Sequence, residues 1–340
     1  MCGTIGLFVG CPFENFCPAK PIDPFIKGVG GHTYSSKLRD WDLKSSVRSK
    51  PRRILLASEI GKSLYFPPEF VPVSKHRSIL SLDPCYAEEI SIQHLYRYLS
   101  FTIKLEKLVV NRTIGAITEG QLGFDLPEEM LLDAYKIYTD EAYHAQFCFD
   151  ILAQVKSANG IAPKLLPIPH FMERLSEMQN QLSDQRLRGL AELFFVIVSE
   201  TLISGTLSQI PKNSGVITAV KDIVSDHAED EGRHHAYFAS VLKMIWWQLT
   251  SAQQRSMGVL VPRFILAFLS PDLDGLRHEL RQYGLTTSSI EELLAEVYPP
   301  ELVALSAHTS AKFTIRYFEE IGAFEHPEVR DAFLASGLVR

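Results

Sequence analysis

Two short strings carry the same pair of metal-binding side chains: Asp140-Glu141-x-x-His144 and, ninety residues later, Asp230-Glu231-x-x-His234. On an α-helix, positions i and i+3 lie about 60° apart, so each Glu and its His leave one face together. A carboxylate and an imidazole aimed the same way can hold a metal ion, and two such pairs on facing helices can hold two. A four-helix bundle around a dinuclear carboxylate centre needs two Glu-x-x-His helices and a lone Glu from each of two more.

Two apolar segments supply the lone carboxylates. Glu200 is the only ionisable residue between Leu193 and Ile203, where an isolated carboxylate is too costly unless a cation or hydrogen bonds compensate it. Glu106 lies in the segment from Tyr98 to Thr113, with Thr102 one turn before it and Val109 and Val110 about one turn after. Its neighbours Lys104 and Lys107 alone would suggest a solvated position, but three other candidate helices make it the best fourth.

The connections fit this order. A short link near Gly120–Pro127 joins the first two helices, a longer Pro-bearing passage from Ser157 to Asp184 follows, and Pro211–Gly215 makes a tight last break. Short, long, short is the connectivity of a ferritin-like bundle with one crossover. The expected fold is all-α: a ferritin-like four-helix bundle with a dinuclear metal core over residues 87–250. An extended N-terminal wrap (1–86) and additional helices (251–340) complete one domain, 1–340.

His227 stands four residues before Glu231 and seven before His234, on the same helical face. Its place beside a metal site favours direct ligation over a surface or supporting histidine. Asp140 and Asp230 each precede a candidate ligand and can reach a neighbouring helix, where a carboxylate accepts the free N–H of a ligating His and fixes its tautomer. Carboxylates with imidazoles and no thiolate suit iron or manganese, and argue against iron–sulfur chemistry and structural zinc.

With these seven positions in order (Glu106, Glu141, His144, Glu200, His227, Glu231 and His234), the chain resembles the di-iron arylamine N-oxygenases. These are of the p-aminobenzoate N-oxygenase type found in aureothin and chloramphenicol biosynthesis. The resemblance covers roughly residues 87–250 and includes the additional histidine. It implies two iron ions held by those seven residues, O2 as oxidant, and oxidation of a small aromatic primary amine to hydroxylamine, nitroso or nitro products in a secondary-metabolite pathway. No flavin or nicotinamide motif is evident, so the electron donor is expected to be external. Other di-iron oxidases (a C-hydroxylase or desaturase) and a non-catalytic iron-binding protein are the alternatives.

For the substrate, Tyr98, Thr102, Thr201, Ser204 and Gly205 surround the candidate ligands at helical spacing, although ordinary helix packing explains them equally well. Lys312 or Arg316 could pair with a substrate carboxylate; nothing in the sequence selects either.

Other features point elsewhere or nowhere. Met1-Cys2-Gly3 resembles an N-terminal nucleophile, but that chemistry needs a sheet sandwich for which a helical bundle leaves no room. His278-Glu279 lacks a second His at i+4, and Cys11 and Cys17 fit no compact metal spacing. Lys44, Arg48, Lys50, Arg52 and Arg53 form a basic cluster, yet a net charge of −6 and no interleaved aromatics favour carboxylate pairing over nucleic acid. Five scattered cysteines and no signal-peptide pattern suit a reducing, cytoplasmic setting. Glu192 and Glu200 interrupt the apolar run near 190–210, so no membrane span is expected. A homodimer is the expected assembly. Eight prolines in the first 72 residues suggest extended structure over the bundle. Helices are expected at 251–270, 287–297, 300–321 and 327–336, the first with a Ser251-x-x-Gln254 capping box.

Overall fold

The computed structural model describes residues 34–339, apart from 208 and 209 and the side chains of 204–206. Cys2, Cys11 and Cys17 therefore lie outside the described residues. From Tyr34 to Leu82 the chain drapes across the bundle with only single turns of α-helix: α1 (Trp41–Lys44), α2 (Ser46–Ser49) and α3 (Arg77–Leu80). Its basic cluster is carboxylate-paired: Lys44 with Asp40, Arg48 with Asp42, Lys50 with Glu229, Arg52 with Asp150, and Arg53 with Asp226. Leu64 forms an isolated parallel bridge to Val216, which ties this segment to the break before the last bundle helix.

The first long rod joins α4 (Cys85–Leu105) to α5 (Asn111–Thr118) through a π-helical turn, Glu106–Val110. Nothing in the residue pattern signals the π turn, and Glu106 opens it. A π turn inserts an extra residue and re-aims the side chains around it, and such turns cluster at functional sites. After the link at 119–127 comes α6 (Glu128–Asn159), with Glu128 and Glu129 at its positive N-terminal end and Lys156 near its C-terminus. Gly160 closes it in the left-handed conformation, φ 73°, which glycine adopts without Cβ strain.

The longer passage is not all loop, since it holds α7 (His170–Asn180). Phe171 of α7 stacks on Phe195, ring centroids 6.1 Å apart. Then come α8 (Gln185–Leu207) and α9 (Thr218–Trp246). Residues 193–198 of α8 are all 0 % exposed, so this helix is buried on every side and its apolar run needs no amphipathic stripe.

The expected helix at 251–270 is two, α10 (Ser251–Gly258) and α11 (Val261–Leu269), because Pro262 begins a new helix at its first turn. The capping box sits one residue earlier than expected: extended Thr250 caps Gln253, and Gln253 reciprocates. Next are α12 (Leu273–Arg281), α13 (Thr287–Val297), α14 (Pro300–Glu320) and α15 (Pro327–Ala335). The apolar stretch 251–281 is thus divided among helices of 8, 9 and 9 residues, each shorter than the roughly 20 residues a span needs. The fold is an all-α, ferritin-like bundle of the α4–α5 rod, α6, α8 and α9. One hydrophobic core runs from Leu38 to Leu338.

Candidate metal centre

The four bundle helices bring Glu106, Glu141, His144, Glu200, His227, Glu231 and His234 together, all 0 % exposed. Two sets of donor atoms converge. Glu141, His144, His227 and Glu231 form one; Glu141, Glu200, Glu231 and His234 form the other, the atoms of each set lying within 4.8 Å of one another. Glu141 and Glu231 belong to both and stand between them. Glu106 joins the first set, with its Oε1 3.7 Å from His227 Nε2. One half of the centre is therefore richer in nitrogen, with His144 and His227, and the other has His234 alone.

Within the cluster His144 Nδ1 meets Glu141 Oε2 at 2.8 Å and His234 Nδ1 meets Glu231 Oε1 at 3.3 Å, but other close contacts leave polar atoms unpartnered. His234 Nδ1 lies 2.8 Å from Glu141 Oε1, and His227 Nε2 lies 3.0 Å from Glu231 Oε1. Yet Glu141 Oε1 and His227 Nε2 make no hydrogen bond, and neither do both oxygens of Glu106, both of Glu200 and Oε2 of Glu231. Buried polar atoms without partners are rare and costly. This many oxygens and a ring nitrogen, oriented inward from four helices, fit two divalent cations with hard oxygen and imidazole ligands.

Charge makes the same point. Burial raises the Glu106 and Glu200 carboxyls well above the ordinary range, and the neighbouring carboxylates add to it: Glu141, Glu200 and Glu231 for the first, Glu231 and Glu141 for the second. Burial also opposes charge on Glu141 and Glu231, but His234 foremost holds both below the ordinary range. For His144, burial works downward while Glu141 and Asp230 push it up to about 10. His234 is likewise buried and likewise raised, by Glu141 and Glu231. His227 is lowered by burial and by the charge on His144. Without cations the cluster balances only by keeping protons on the groups best placed to bind them.

The far ring nitrogens of two histidines are held across the bundle. His144 Nε2 meets Asp230 Oδ2 at 3.1 Å, and His234 Nε2 meets Asp140 Oδ2 at 3.2 Å. The pairing is crossed, since Asp230 of α9 serves His144 of α6 and Asp140 of α6 serves His234 of α9. A carboxylate on Nε2–H fixes the tautomer that leaves Nδ1 as the inward donor.

A cavity of about 340 Å³ lies against α4. Its wall is aromatic, formed by Phe66, Phe70, Tyr98, Phe101 and Phe268, with the cations Arg97 and Lys104 among its polar groups. Tyr98 lines this cavity, and burial first, then Cys148, and then the charges of Glu106 and Glu231 raise its hydroxyl. Two buried nitrogens of this lining, Arg97 Nε and His170 Nε2, have no hydrogen-bond partner. Lys104 donates to the Pro167 carbonyl at 2.6 Å and lines the same wall. None of the seven side chains lines this cavity, nor a larger polar cleft of about 760 Å³ at the start of α8.

Of the residues the sequence placed near a substrate, Tyr98 lines this cavity. Thr102 is buried one turn further along α4, next to Cys148 and Tyr98. Thr201 spends its hydroxyl on the Ile197 carbonyl and on Thr314 of α14, and does not line the cavity. The side chain of Ser204 and the surroundings of Gly205 lie outside what the structure describes. Lys312 and Arg316 are exposed, and Arg316 pairs with Glu320 on its own helix. Arg97, His170 and Cys148 were missed; only Cys148 had a legible sign, falling four residues after His144 on the face of Glu141.

A family model described as p-aminobenzoate N-oxygenase AurF matches residues 56–322, a span that includes all seven clustered side chains. A 4-aminobenzoate N-oxygenase of Streptomyces thioluteus is 21% identical over 275 residues, covering 80% of this chain and 81% of the relative. With the family pattern spanning the whole bundle, this chain belongs to the p-aminobenzoate N-oxygenase family, a family of oxygenases.

Proposed function

We propose that the chain is an arylamine N-oxygenase. In this reading Glu106, Glu141, His144, Glu200, His227, Glu231 and His234 hold two iron ions, with manganese as the other metal such donors accept. The observation that carries it is the convergence of unpartnered carboxylate oxygens and imidazole nitrogens from four helices of one family-matched bundle. Two bound iron ions would supply the redox chemistry with O2.

The protein's own part is to place the amine and keep the site dry. The aromatic wall at Phe66, Tyr98, Phe101 and Phe268 accepts a ring, and the Tyr98 hydroxyl feels the charges of Glu106 and Glu231. Arg97 and Lys104 bring positive charge to the cavity, Arg97 also held by Glu279 and Asp272 and Lys104 by the Pro167 carbonyl, in keeping with a relative named for 4-aminobenzoate. The complete burial of all seven candidate ligands excludes bulk water from the nitrogen being oxidised. An acyl tunnel beside Glu200 would favour a desaturase, whereas this cavity meets α4 instead. The reading includes an external electron donor, a homodimer and a cytoplasmic setting in a secondary-metabolite pathway. The free thiols of Cys85 and Cys148 suit a reducing compartment. The continuous core supports one domain.

Turnover of the iron-loaded, chemically reduced chain under 18O2 tests this. Mass spectrometry is expected to find the label on the amine nitrogen of an arylamine, with acidic arylamines such as 4-aminobenzoate ahead of neutral anilines. Label on ring carbon, or an alkene product from an acyl substrate, would move the chain to another oxidase chemistry.

A further inference from the structure

The two aspartates that meet the histidines are themselves held from outside the bundle. The Trp41 indole N–H donates to both oxygens of Asp140, at 2.9 Å each, and Ser45 Oγ donates to the same carboxylate. The backbone N–H of Ser46 donates to both oxygens of Asp230, at 3.2 Å each, while Ser46 Oγ donates to the Asp226 carbonyl at 3.0 Å. Arg233 also donates to Asp230. Asp140 and Asp230 are both 0 % exposed, so water does not compete for them.

Local structure explains the aim. Ser45 is extended (φ −59°, ψ 140°) between the single turns α1 and α2, and Ser46 is the first residue of α2. The first N–H groups of a helix have no partner within it, and here one is spent on a buried carboxylate of α9. A carboxylate that accepts several bonds keeps one rotamer, and the imidazole that donates to it keeps one orientation.

We propose that Trp41, Ser45 and Ser46 are positioning residues for the metal centre: through Asp140 the first two set the orientation and tautomer of His234, and through Asp230 Ser46 sets those of His144. The inference rests on the reading that the cluster holds two ions. It goes beyond the family match, which begins at residue 56, after this segment. The crossed pairing makes it specific. Trp41 acts on the half of the centre with Glu200 and His234, and Ser46 on the half with His144, His227 and Glu106.

Two substitutions separate the halves. Trp41→Phe keeps an aromatic ring and removes the donor. Ser46→Pro removes the N–H at a helix position that accommodates proline, after a residue already in the extended region that proline requires. Each full-length variant is loaded anaerobically with Fe(II), and release to a chromophoric chelator is followed by absorbance.

Trp41→Phe is expected to speed release of one ion about tenfold, the low end for groups supporting a ligating histidine, and to leave the other unchanged. Ser46→Pro should speed the other ion. In a His234→Ala background Trp41→Phe should add nothing. Arg52→Ala, which breaks a surface pair with Asp150 in the same segment, should change neither rate. If the wild type holds two ions and Trp41→Phe releases both at wild-type rates, or speeds both equally, the segment is only a cover and the proposal fails. A wild type that binds no pair of ions overturns the metal reading itself, and this inference with it.

Discussion

Replacing Glu200 or His234 with Ala is expected to leave one tightly held ion per chain instead of two. Arylamine N-oxygenation should fall more than about 100-fold, beyond the range for supporting residues. The reason is local: Glu200 and His234 are the two members of their half-site that the other half does not share. Metal content by elemental analysis, with turnover on the same samples, gives both numbers. Full retention of two ions in either variant would undo the assignment of that residue.

Glu200→Gln adds a test in the metal-free protein. The Glu200 carboxyl is raised well above 4.5, by burial first and by Glu231 and Glu141 after it. A raised carboxyl contributes its stability in full below the unfolded value, near 4.3, and loses it as pH rises toward the folded value. Metal-free wild type should therefore lose stability from about pH 5 upward, and Glu200→Gln should lose less of it. The gap in melting temperature between them should widen from pH 5 to pH 8. A constant gap would mean that Glu200 is ionised and compensated without metal.

Loading the centre is expected to release protons at neutral pH, that of His144 among them. Glu106 and Glu200 are raised above the ordinary carboxyl range, His144 is raised to about 10 and His234 well above 6.5. All four must ionise or become neutral to bind a cation. Affinity for the pair should thus rise steeply with pH. Anaerobic addition of Fe(II) in weak buffer with an indicator dye measures the stoichiometry. Release of no protons would show that protonation does not compensate the metal-free cluster.

The chemistry was more legible in the sequence than the shape around it. A Glu and a His three apart signal a shared helical face whatever the tertiary structure, so the Glu141/His144 and Glu231/His234 pairs could be read directly. Glu200 stood out because ten apolar or hydroxyl neighbours leave an ionisable group no cheap explanation. Glu106 was harder to read, since the π turn that aims it breaks the 3.6-residue period on which the sequence argument runs. The contacts of Asp140 and Asp230 with His234 and His144 could be anticipated from their place beside the candidate ligands.

Their donors could not. Trp41 meets Asp140 across 99 positions of sequence, and nothing in a Pro-rich segment says which carboxylate its indole will find. The cavity was hidden for the same reason, because Phe66, Phe101, His170 and Phe268 come from four separate stretches of chain. Lys312 and Arg316 had the right charge, but α14 turns both toward solvent.

The most direct test of the account is anomalous diffraction at the iron edge from crystals of the iron-loaded protein. Two peaks are expected between Glu141 and Glu231, one completed by Glu106, His144 and His227 and the other by Glu200 and His234. A single peak, or iron bound away from these seven side chains, would contradict the dinuclear centre and the oxygenase mechanism built on it.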